Sequence, residues 1–180
     1  ENKKVQTENN MESRTALSFF EGKISDAMMF ATLEQVARQD TDTILFNIDS
    51  HAKTETKEDA ILNVFFKMFN EHIGYCGDFP YVAHFERELD KLGQYDAFKD
   101  AFEKIVDSSW VEERDSYSFF QDEVVEALCQ ATGRSESAAR NLIENLESSI
   151  VLSIDNFCDW VKDYLDAHPA KNIAFLVDEV

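Results

Sequence analysis

Hydrophobic positions recur along most of this chain with the period of a helix, and two short runs break that rhythm. After a polar, aperiodic start, "SDAMMFATLEQVARQ" places Met29, Phe30, Leu33, Val36 and Ala37 on one stripe behind a capping Ser25. That pattern predicts an amphipathic helix packed against another layer. Next, "TDTILFNIDS" carries Thr43, Ile44, Leu45, Phe46 and Ile48 without helical spacing, which predicts a buried strand over 43–49.

Helical spacing then resumes and holds for more than a hundred residues. Ile61, Val64, Phe65, Met68, Phe69 and Ile73 predict a long helix ending at Gly74. Pro80 suits the first turn of the next, whose Val82, Phe85, Leu89 and Leu92 run to Gly93. Further helices are predicted around Phe98, Phe102, Ile105 and Val106, and from near Ser118 through Phe120, Val124, Val125 and Leu128 to Gly133. Ser135 caps one with Ala139, Leu142, Ile143 and Leu146. Ser153 caps the last, with Phe157, Trp160, Val161 and Leu165 ahead of Pro169. The second break is "PAKNIAFLVDEV", where the apolar run from Ile173 to Val177 stops at Asp178 and Glu179.

The order is helix, strand, some six helices, strand. A crossover between parallel strands needs little more than a dozen residues, and roughly 120 separate these two, so an inserted helical bundle is expected over 57–169. Residues 11–56 are expected to form part of a sheet-containing core, 170–180 its second strand, and 1–10 a disordered extension.

Composition sharpens this picture. Only 5 Gly and 2 Pro among 180 residues leave few positions for tight turns, favouring long helices over a turn-rich β fold. The 15 phenylalanines fall mainly on the apolar stripes and read as core. Seventeen basic against 36 acidic residues give a formal charge of -19, which repels phosphate backbones and anionic membranes, so direct nucleic-acid contact is not expected. Cys76, Cys129 and Cys158 form no CxxC or Cys/His spacing, which suits a reduced, cytoplasmic protein without a zinc site. No run approaches a membrane span. The histidines His51, His72, His84 and His168 make no HExxH pattern, and no GxSxG marks a serine nucleophile.

An apolar strand ending in Asp-Glu is how the second half of a nucleotide-hydrolysing site reads, because parallel sheets bind ligands beyond the carboxyl ends of their strands. The first half would be GxxxxGK followed by Ser or Thr, whose amides and lysine neutralise phosphates. Gly22-Lys23 is the sole Gly-Lys pair. Ile24 follows it and Leu17 occupies the place of the earlier glycine, so it is no phosphate loop. A chain lying between that loop and the acidic pair would be an excised piece of a longer protein.

"TILFNIDSHA" at 43–52, "KEDAILNVFFKMFNEHIGY" at 57–75 and "KNIAFLVDEV" at 171–180 together resemble the large P-loop ATPases of BREX bacteriophage-exclusion systems, of the BrxC/PglY type. The resemblance runs from about Ser25 to the end. It implies a mainly α fragment with a few strands, cut from an α/β P-loop (AAA+/ASCE-like) domain with a large helical insertion. It also implies ATP and Mg²⁺ as ligands of the intact parent, Asp178 as the Mg²⁺-associated Walker B acid and Glu179 as the catalytic glutamate. Other subunits of a defence complex are the implied partners, and open strand edges allow self-association. Arg134 and Arg140 are candidate fingers for a neighbouring site. The competing expectation is an acidic helical interaction module, or a nucleic-acid mimic, with no enzymatic activity.

Overall fold

The computed structural model describes residues 4–5, 14–38, 40–47 and 57–178. It is mainly helical, with two parallel strands, as the hydrophobic pattern predicts. Lys4–Val5 (β1) and Arg14–Thr15 (β2) pair antiparallel, Lys4 opposite Thr15. A single 3-10 turn at Ala16–Phe19 leads to helix α1, Ala27–Ala37. Its cap is Asp26 rather than Ser25: the carboxylate accepts from the amides of Met28 and Met29 at 2.9 and 3.1 Å. Strand β3 covers Asp40–Asn47, so it starts three residues before the predicted run, and 48–50 lie outside the described residues.

Among the described residues seven α-helical segments follow: α2 (Lys57–Ile73), α3 (Pro80–Lys91), α4 (Tyr95–Val106), the single turn α5 (Trp110–Glu113), α6 (Gln121–Thr132), α7 (Glu136–Glu144) and α8 (Ile154–Ala167). Strand β4, Lys171–Asp178, lies beside β3 in a two-stranded sheet. Their terminators are those the sequence offers. Pro80 opens α3, Gly133 closes α6 at φ 70°, and the Ser135 and Ser153 hydroxyls accept from Ala138 and Asn156. The α6 expectation needs one correction: the stretch from Arg114 to Phe120 is 3-10, kinked at Ser116, and the α-helix begins only at Gln121.

The chain divides into two compact units, one of residues 1–45 and 160–176, the other of 46–159 and 177–180. The larger unit holds nearly all the core. Val64, Phe66, Phe69, Val82, Phe98, Phe102, Trp110, Val124 and Leu128 are fully or almost fully buried there. Phe98, Phe102, Phe85 and Trp110 meet edge to face at 5.0–6.1 Å between ring centres, geometry that aromatic quadrupoles favour. Of the stripe predicted for α2, Val64 and Phe69 are buried, Phe65, Met68 and Ile73 half-buried and Ile61 exposed, while Phe66 and Asn70 join the buried side.

The smaller unit has almost no core. Among its described residues only Ile44 and Trp160 are buried apolar side chains, and α1 buries none. Phe30, Leu33 and Ala37 of α1 are half-buried, whereas Met29 and Val36, predicted on the same stripe, are exposed.

Candidate functional site at the carboxyl edge of the sheet

Because β3 and β4 run parallel, Asn47 and Asp178 end at the same edge. Pleating fixes what each face carries. Asp42, Ile44 and Phe46 of β3 share one face, and Lys171, Ile173, Phe175 and Val177 of β4, all half-buried, share theirs. The alternate set, Asn172, Ala174, Leu176 and Asp178, is mostly exposed. Asp178 is thus an exposed carboxylate at a strand tip, on the same side as Leu176. Its neighbour Glu179 lies outside the described residues.

The amino edge of the sheet is held by a polar cluster. Lys171 Nζ donates to both Asp42 oxygens at 3.2 and 3.1 Å, and the Tyr164 hydroxyl of α8 donates to Asp42 Oδ2. Burial and the Asp42 bond push the Tyr164 phenol up, while bonds to Asp42 and then Tyr164 hold the Lys171 ammonium above its ordinary range. These residues come from β3, α8 and β4. They tie the start of one strand to the start of the other.

Chemically, one carboxylate at a strand tip fits Mg²⁺, which binds through one or two carboxylates and keeps several waters. Triphosphate is a different matter. Gly22-Lys23 stands in a turn at φ 77°, before a helix whose first amides are already taken by the Asp26 carboxylate, so an anion would meet negative charge there. That turn therefore offers no phosphate cradle.

Other sequence candidates disperse. Arg134 and Arg140 line one open groove of about 460 Å³ with Asp122, Glu126, Cys129 and Glu136. Arg140 is engaged by Asp122 at 2.8 Å and Glu136 at 3.1 Å, so its charge is already neutralised. His51 lies outside the described residues. The His84 imidazole is held below its usual range by burial, and His168 stacks on Tyr164 at 4.4 Å. No group of three or more metal-ligating side chains occurs among the described residues. Cys76 is buried, with its thiol pushed up to about 12 by desolvation, and Cys158 is exposed.

The feature that the motif search passed over lies inside the helical bundle. Glu86 is fully buried, and its Oε1 accepts from Tyr95 at 2.8 Å, the Trp110 indole at 2.8 Å and Arg114 at 3.1 Å. Its Oε2 accepts the Cys76 amide at 2.6 Å. One carboxylate thereby gathers α3, α4, α5, the following 3-10 segment and the α2–α3 turn. Beside it, the buried Arg87 guanidinium donates to Asn70 and lies over Tyr75 at 4.8 Å. The clue was present: Glu86 sits four residues after Val82 and three before Leu89, on the apolar stripe.

The remaining acids are spread. Exposed carboxylates occur on α2, α3, α4, α5, α6, α7 and α8 rather than along one element. No helix among the described residues is long and apolar enough to cross a membrane. No protein-family model matches the chain, and no solved structure matches it.

Proposed function

We propose that this chain is a segment of a P-loop ATPase of the BREX phage-defence type, supplying the acidic half of the nucleotide site and a helical insertion for subunit contacts. The observation that carries the reading is the position of Asp178: it ends a strand that runs parallel to β3 and returns to it after a crossover whose described residues form helices and turns and no strand. In such a sheet the carboxyl edge is where phosphate chemistry is done. Asp178 is the Mg²⁺-associated acid and Glu179 the residue that polarises the attacking water. ATP hydrolysis is the activity of the intact parent; this chain alone lacks the lysine and amides that would compensate triphosphate charge.

The direct test is phosphate release measured with this chain and with the parent protein. This chain should release none above background. In the parent, Glu179→Gln should abolish turnover while nucleotide binding persists, and Asp178→Asn should weaken Mg²⁺-dependent binding. Full turnover by the Glu179→Gln parent would overturn the assignment. The role of the insertion is tested by deleting 58–168 from the parent: complex assembly should be lost and nucleotide binding kept, and surviving assembly would refute the contact role. A nucleic-acid mimic would need its carboxylates in one stripe, and their scatter over seven of the described helices gives that alternative no support.

A further inference from the structure

The smaller unit displays its apolar surface instead of enclosing it. Met28, Met29 and Val36 stand 80%, 62% and 54% exposed on α1, and Leu45 and Leu176 stand 67% and 50% exposed on the two strands. Phe20, just before α1, is 47% exposed. Two surfaces of different kind are therefore bare. One is a helix stripe, since Met28, Thr32 and Val36 follow one another at four-residue steps with Met29 beside them. The other is the sheet face of Leu45 and Leu176, flanked by Thr43 and Ala174. Parallel sheets are normally covered by helices on both faces, so each bare surface is the kind that covers the other.

We infer that two copies of this chain associate through these surfaces, α1 of each lying on the open sheet face of its partner. Three observations select a second copy as the occupant. At ~200 Å² per large side chain, the six exposed residues present about 700 Å² per copy, close to the ~800 Å² each partner contributes to a standard stable interface. Exchange about a two-fold axis covers both surfaces in both copies and leaves no open end. Finally, α1 carries a single charge, Glu34, in eleven residues of a chain with net charge -19, so the contact itself escapes most of the like-charge repulsion.

This inference stands apart from the ATPase reading. It gives the interface a salt signature: repulsion between two acidic chains is screened as ionic strength rises while apolar burial is retained, so association should tighten with salt.

Sedimentation velocity over about 1–200 μM protein, at low and at roughly 0.5 M salt, tests it. The expected result is a monomer–dimer equilibrium that shifts toward dimer in high salt. Met28→Glu and Leu176→Glu, both on exposed positions, should each weaken association at least about tenfold with unchanged circular dichroism. A monomer throughout that range overturns the inference and leaves the face to some other cover. Larger polydisperse species overturn it too, as does a dimer indifferent to both substitutions. Because phosphate release is not read, the outcome says nothing about Asp178 and Glu179.

Discussion

Replacing Glu86 with Gln removes one charge and almost no volume, which makes it a clean probe of the bundle's polar hub. In the native chain one oxygen accepts from Tyr95, Trp110 and Arg114 and the other from the Cys76 amide. A glutamine has one acceptor. If it serves the three-donor side, its NH₂ confronts the Cys76 amide; if it turns over, the three donors are left facing an NH₂. Either arrangement strands at least one buried donor, at about 1–3 kcal/mol. It also leaves the Arg114 guanidinium, whose side chain is only 12% exposed, without its counter-ion; breaking a buried pair costs about 3–5 kcal/mol. The two penalties overlap, so a loss of roughly 3–5 kcal/mol is expected, a large part of the ~5–15 kcal/mol that holds an ordinary domain together. Urea unfolding followed by tryptophan emission suits the question, because Trp110 itself donates to Glu86. A midpoint corresponding to a loss below about 1 kcal/mol would refute the argument that this carboxylate holds the helices together. The double variant Glu86→Gln with Arg114→Met removes the uncompensated cation while the glutamine oxygen still serves Tyr95 and Trp110, and should recover part of the lost stability, as expected when an unpaired buried charge is the larger penalty.

Two further outcomes follow from the same geometry. Tyr164→Phe deletes the hydroxyl that donates to Asp42 and should cost about 0.5–1.5 kcal/mol, seen as faster amide exchange in β3 and β4 with α3–α6 unaffected; unchanged strand protection would remove the cluster's role in holding the strands together. The Cys76 thiol, raised by burial from an ordinary 9.0 to about 12, stays protonated in the folded chain after the unfolded chain has lost its proton, so stability should be flat below about pH 9 and fall as pH rises from there toward 12; a urea midpoint that rises between pH 8 and 10.5 would contradict the sign.

The periodic positions carried the helices well. Val82, Phe85 and Leu89, or Val124, Val125 and Leu128, lie where a 3.6-residue repeat puts them, because each packs into a bundle that demands one continuous apolar face. Periodicity failed where packing was not the cause. Met29 and Val36 fit the α1 stripe yet remain exposed, since the unit containing α1 offers nothing in this chain for that side to pack on. The kink at Ser116 was also invisible, for "RDSYSFF" has no proline or glycine to announce a 3-10 turn. Of the candidate site, the strand and its terminal Asp178 were legible from a run of apolar residues meeting a carboxylate. The amino-edge cluster was not. Asp42, Tyr164 and Lys171 are as far as 129 positions apart, and only the folded crossover brings them together.

The tie between Asp42 and Lys171 joins segments 129 positions apart, so it closes a loop that contains the whole helical crossover. Closing so long a loop is slow, and the local helices are expected to assemble before the two strands meet.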